Sequence, residues 1–144
     1  MATDRTATVT WRGSLFEGSG TIDAVGTGSF GPLDVSWAAR AEEPAGVTSP
    51  EELLAAAHAA CFSMALSNAL AQAGTPAEEL QTGARVTFQP GEGITRIVLT
   101  VAGTVPGIDA AAFAEHADGA KGGCPVSKAL AGVPEITVEA TLRG

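Results

Sequence analysis

The sequence predicts an α+β domain in which antiparallel sheets surround one long central helix. Two observations carry that reading. The stretch Ser49–Gly74 reads as a single helix, and strand-like alternation comes in blocks before and after it. Strands that run in blocks pair with their neighbours, so the order βββ-α-ββ-αα-β implies largely antiparallel sheets.

Taken in order, Thr6–Trp11 (TATVTW) alternates as a strand and Gly13 begins a turn. Ser14–Val25 reads as a second strand, frayed by Gly18 and Gly20. Gly26–Pro32 is a loop, Leu33–Arg40 (LDVSWAAR) alternates again, and Glu42–Ser49 is a connector. The central helix opens on an N-cap hydroxyl, Ser49, a first-turn proline, Pro50, and a capping-box acid, Glu52. Gly74, followed by Pro76, marks its stop. Its apolar residues, Leu53, Leu54, Phe62, Met64, Leu66 and Leu70 among many alanines, cover nearly the whole circumference. Such a helix is wrapped by the rest of its protein or by a partner. Glu, His, Ser and Asn break it too often for a membrane span, which needs about 20 predominantly apolar residues. Beyond it, Gly83–Gln89 and Ile94–Thr104 form a hairpin, and Asp109 caps a helix that Gly122–Gly123 end. Cys124–Leu130 starts another helix, and Ile136–Leu142 is a closing strand. Nothing repeats and no linker divides the chain, so residues 1–144 are expected to form a single domain.

Composition narrows the function. With 45% apolar and 17% charged residues the chain is globular rather than disordered. Eight basic against sixteen acidic residues give a net charge of -8, which argues against nucleic acid and anionic membranes as partners. No basic and apolar leader opens the sequence, so a reducing cytoplasm is the expected compartment. Two cysteines there read as redox-active, catalytic or inert rather than as a structural disulfide.

Those cysteines sit in different settings. Cys124 follows Gly122–Gly123 and precedes Pro125, at the start of a helix where unpaired N–H groups stabilise a thiolate and Lys121 adds charge. Placement alone fits equally well a small residue in a tight turn. Cys61 lies in mid-helix without such help, where a cysteine behaves as a small hydrophobe.

The motifs PEELLAAAHAACFSMALS around Cys61, VPGID at Val105–Asp109 and GCPVSKAL around Cys124 resemble the signatures of the OsmC/Ohr family. These are the osmotically inducible protein C and organic hydroperoxide resistance proteins, thiol-dependent peroxidases. The resemblance runs from the first strand to the last. The histidine before AACFSMAL and an arginine shortly before the helix make it more similar to the OsmC branch. It implies an intertwined homodimer with two sites at the interface, lipoyl-type dithiols as reductants, and neither cofactor nor metal. It also implies that Cys61 is the peroxidatic and Cys124 the resolving cysteine. Glu51, directly after the helix proline, matches the family's active-site glutamate. Arg40 stands where OsmC-type sequences place the active-site arginine, with Arg12 on the first strand as the alternative.

The chemistry suits that set. A thiolate attacks the terminal peroxide oxygen and becomes a sulfenic acid, and a second thiol condenses with it to a disulfide. An ordinary cysteine is only about 3% thiolate at pH 7, and lowering its pKa to about 6 requires ~3.4 kcal/mol. A guanidinium at about 4 Å offers roughly 4 kcal/mol at an effective dielectric of 20. One arginine is barely sufficient, and Glu51 suits the task of holding its fork. Alanines with Phe62, Leu54 and Leu66 make an apolar surround that favours organic hydroperoxides.

His58 lies one turn before Cys61 and could activate it directly, although a hydrogen-bonded interior histidine is the plainer reading. His58, Cys61, His116 and Cys124 do not have zinc-ribbon or finger spacing. A different class of function also fits the sequence: a non-catalytic dimeric stress protein whose cysteines only pack. Glu51 and Cys61 stand ten positions apart on one helix, roughly 15 Å along its axis and about 80° apart in direction. An antiparallel partner helix would bring Glu51 of one subunit beside Cys61 of the other.

Overall fold

The computed structural model describes residues 1–143, in two compact units: Met1–Leu53, and a second beginning at Leu54. The first unit holds a sheet of β1 (Ala7–Arg12), β2 (Ser19–Val25) and β3 (Leu33–Val35), all antiparallel, in the order β1-β2-β3. Gly20, inside β2, is where the Trp11 indole and Val35 crowd the strand. A Cβ there would stand 2.6 Å from the ring.

The stretch Leu33–Arg40 does not continue as a strand. It stops at Val35, and Ser36 caps a short helix α1 (Trp37–Ala41), its hydroxyl accepting the Ala39 N–H at 3.1 Å. The run after the serine has no β-branched residue, so the cap decides the conformation. Arg40 therefore sits in the last turn of a helix rather than on a strand.

Helix α2 (Pro50–Gln72) is continuous. At its start Ser49 Oγ accepts the Glu52 N–H at 3.2 Å, as expected of the cap. Glu52 does not return the bond; its carboxylate accepts the Thr48 hydroxyl at 2.7 Å. At the other end Gly74 takes φ 84°, and Gly74 N–H and Thr75 N–H donate to the Ala71 and Leu70 carbonyls at 3.0 and 2.9 Å. That is the Schellman closure.

In the second unit β4 (Glu79–Gln89) and β5 (Gly93–Thr104) form the expected antiparallel hairpin. The closing strand β6 (Glu135–Leu142) lies parallel to β5, so this sheet, in the order β4-β5-β6, is mixed. The expectation of antiparallel pairing fails here because β6 is reached through a helical crossover, α3 (Ala110–Gly123) and α4 (Pro125–Ala129). A chain that crosses a sheet in this way returns in the same direction. Asp109 caps α3 by accepting the Ala112 N–H at 2.8 Å, and the helix runs on through Gly122–Gly123 instead of ending before them.

The core joins Phe62, Leu66 and Leu70 of α2 to Ile97, Leu99 and Val101 of β5 and to Phe113 and Ala117 of α3. With His58 these α2 residues recur every fourth position, a single buried stripe. The single chain does not wrap the helix: Ala57, Ala60 and Met64 are exposed, the last at 74%. By length and by a mean hydropathy of 1.5, α2 is apolar enough to cross a bilayer, so its polar interruptions do not rule that out as expected. The buried stripe lies against the three-stranded sheet.

Candidate active site

The residues singled out in the sequence gather as two pairs, one in each unit. In the first unit Arg40 grips Glu51 with a bidentate fork. Nε donates to both carboxylate oxygens at 3.0 and 3.1 Å, and Nη2 donates to Oε2 at 3.0 Å. The Glu51 side chain is 8% exposed and that of Arg40 34%. Short helix α1 presents the arginine and the first turn of α2 the acid, so both ends of the pair are held by caps. Planar two-point contact of this kind fixes orientation as well as charge. Arg12, the alternative arginine, is exposed at the end of β1, opposite Ser19.

In the second unit Cys61 and Cys124 are both free thiols, and they lie close enough to influence each other's titration. Cys124 is completely buried and Cys61 partly so. Helix α2 supplies Cys61, one residue from the buried stripe. Cys124 terminates α3 and caps α4, where Pro125 at the first helical position leaves the neighbouring N–H groups open.

The two thiols influence each other and move in opposite directions, Cys124 down and Cys61 up. Burial raises Cys124, but contacts from the Cys61 thiol, from the N–H and hydroxyl of Ser127 and from the Val126 N–H outweigh it. The net direction is down. Its sulfur does not meet the geometry of a full capping bond, so the amides act at longer range. Five residues are too few for a useful macrodipole, and the local N–H groups carry the effect expected of the helix start. Cys61 moves up, first through burial and then through its contact with Cys124 and that neighbour's charge.

Cys61 also opens onto a cavity of about 580 Å³ lined by Met64, Ala65, Ala69, His116, Gly119 and Pro125 among others. Its lining is mainly apolar, with Glu115 and His116 at hand. A somewhat larger recess, of about 620 Å³, between α2 and the start of β4 contains no thiol.

His58 is fully buried and bonds through Nε2 to Ser127 Oγ at 2.7 Å, the hydrogen-bonded interior histidine anticipated from the sequence. Burial lowers its pKa. Its Nδ1 has no hydrogen-bond partner. Ser127 escaped the sequence reading; the only signal for it was a hydroxyl one helical turn beyond Cys124. Among the described residues no group of His, Cys, Asp and Glu is arranged to hold a metal ion.

Comparison with known proteins identifies the family. The family model described as OsmC-like protein matches residues 43–139. Over 136 residues the chain is 41% identical to "Peroxiredoxin OsmC" of Escherichia coli K12, covering 92% of each sequence. Among solved structures, an OsmC-like protein of Mycoplasma pneumoniae superposes with a TM-score of 0.72 over the full length of both chains at 20% identity. The organic hydroperoxide resistance protein OhrB of Bacillus subtilis superposes with a TM-score of 0.60 at 26% identity, covering 96% of this chain and 98% of that one. The long helix carrying one thiol, the helix start carrying the other and the extent of these matches lead to one conclusion: the chain belongs to the OsmC family.

Proposed function

We propose that this cysteine-based peroxidase reduces organic hydroperoxides to alcohols, with Cys61 as the peroxidatic and Cys124 as the resolving thiol. The observation that carries the reading is the pair of neighbouring free thiols, the partly exposed one lining a mainly apolar cavity. The peroxiredoxin name of the Escherichia coli relative supports the reaction class, and the hydroperoxide-resistance name of the Bacillus subtilis protein supports the substrate.

The Cys61 thiolate attacks the terminal oxygen of ROOH. The O–O bond breaks, the leaving alkoxide takes a proton to become ROH, and Cys61 is left as a sulfenic acid. The Cys124 thiolate then attacks that sulfur. A Cys61–Cys124 bond forms, hydroxide leaves and is protonated to water. An external dithiol restores both thiols by exchange, and we assign that task to a lipoyl-type reductant. No cofactor takes part.

Within its own unit Cys61 has a raised pKa, so the reaction needs a cation to oppose burial. Arg40, oriented by Glu51, is the group we assign to it. Glu51 and Cys61 are ten positions apart on one continuous helix, which favours an arrangement in which Arg40 and Glu51 serve Cys61 of a partner subunit. The largely uncovered apolar face of α2 is in keeping with a homodimer. The family match spans the boundary between the two units, which supports treating residues 1–144 as one domain. A reducing cytoplasm suits the two free thiols.

The test is peroxide consumption with cumene hydroperoxide against hydrogen peroxide, supplied with either dihydrolipoamide or a thioredoxin system. Faster turnover of the organic peroxide with dihydrolipoamide is expected. Absence of turnover with either peroxide would return both cysteines to a packing role.

A further inference from the structure

His58 and Ser127 are buried, polar and unused by the reaction above, yet they are bonded to each other and Ser127 acts on its second thiol. Burial of a histidine beside a serine is costly unless the pair is satisfied, and here one ring nitrogen is not. That orphan identifies the tautomer. A buried N–H without an acceptor costs more than a bare lone pair, so the proton belongs on Nε2 and Nδ1 carries the lone pair. His58 Nε2–H then donates to Ser127 Oγ across 2.7 Å. With its oxygen occupied as an acceptor, the serine hydroxyl has its own hydrogen free to donate. Ser127 is the third residue of α4, and Cys124 is that helix's cap, so one helical turn separates them, a spacing that lets side chains meet.

We propose that His58 and Ser127 form a donor chain, Nε2–H to Oγ and Oγ–H to Cys124 Sγ, that holds the resolving sulfur ready to attack. In this chain Ser127 is the group that addresses the reacting sulfur, whereas His58 is a positioning residue that acts through it. The direction in which the Ser127 hydroxyl moves the Cys124 thiol, downward, agrees with donation rather than acceptance. Burial keeps His58 neutral, so the chain supplies dipoles and not a charge that would compete with the arginine proposed for Cys61. The chain makes no bond of its own. It stabilises the thiolate that displaces hydroxide from the Cys61 sulfenic acid, and so shortens the time that acid stays open to a second peroxide. His58, one turn from Cys61 on α2, thereby serves the other cysteine.

The inference rests on the proposed division of labour between the cysteines, and the experiment separates the two. A single equivalent of cumene hydroperoxide is mixed with wild type, Ser127→Ala, His58→Asn and His58→Gln. Sulfenic acid formation and disulfide formation are followed as separate phases, with dimedone labelling as a second readout. In Ser127→Ala and His58→Asn the disulfide phase should slow about tenfold relative to the first phase, with more dimedone trapped on Cys61. A glutamine amide reaches the position of Nε2 and should restore most of the ratio. Ser127→Thr, which keeps the hydroxyl, should do the same and guards against a misfolded alanine variant. An unchanged ratio in a folded Ser127→Ala protein would overturn the inference. So would a His58→Asn defect confined to the first phase, which would place His58 on Cys61. A wild type that forms no Cys61–Cys124 disulfide would instead overturn the reading beneath it.

Discussion

Acidification should destabilise the protein through His58, and glutamine at that position should remove the effect. His58 has no exposed surface, and among the described residues its ring bonds only to Ser127, through Nε2. A second proton would place both a charge and an unaccepted N–H at Nδ1. Burial accordingly holds its pKa below the ordinary 6.5. In the unfolded chain the same histidine takes up its proton as the pH falls through that value. The unfolded state then binds more protons than the folded one, and stability must fall with pH. The contribution is fully present above pH 6.5 and is lost as the pH drops toward and through the folded value. Its slope is no steeper than about 1.4 kcal/mol per pH unit. Urea unfolding of wild type and His58→Gln, at fixed protein concentration from neutral pH down to about pH 5, measures the slope as a difference. His116, the other histidine, is present in both proteins and cancels. The stability gap between the two should narrow steadily as the pH falls. Parallel curves across that window would mean that His58 is not buried in a neutral form, and the donor chain to Cys124 would fall with it.

Two further predictions concern the proposed activation of Cys61. Arg40→Ala should raise the Cys61 pKa by about one unit or more and slow peroxide reduction, read by the pH dependence of thiol alkylation. Arg40→Lys should rescue poorly, since an ammonium cannot reproduce the two-point grip on Glu51. An unchanged pKa in Arg40→Ala would transfer the role to Arg12 or His58. Co-refolding Cys61→Ser with Glu51→Ala should restore activity toward about half of wild type per heterodimer, because one of its two sites is then intact. Only the average of the two parent activities would show that each site is built within one chain.

What the sequence made legible, and what it did not, follows the range of the interactions involved. Helix α2 could be bounded because its signals are local: a serine cap, a proline and a glycine stop. Helix α1 was hidden because Ser36 sits inside an alternating stretch, and only the three-residue pairing of β3 shows that the strand has already ended. The direction of β6 could not be read from its own residues, since it depends on where α3 and α4 deliver the chain. At the site, the first-turn placement of Glu51 and the helix-start placement of Cys124 were visible one residue at a time. The identity of Arg40 as the partner of Glu51 came from resemblance, and the fork between them is a tertiary fact. The His58–Ser127 bond spans 69 positions, and no pattern in the chain announces it.

The central claim is that Cys61 receives the peroxide oxygen and Cys124 resolves it. It is tested most directly by treating the protein with a single equivalent of organic hydroperoxide and mapping the products by mass spectrometry. Wild type should form an intramolecular Cys61–Cys124 disulfide, Cys61→Ser should be inert, and Cys124→Ser should stop at a sulfenic acid that dimedone traps on Cys61. The lowered pKa of Cys124 and the raised pKa of Cys61 make the opposite outcome a real alternative. Dimedone found on Cys124, in a protein whose Cys61→Ser variant still consumes peroxide, would contradict the account.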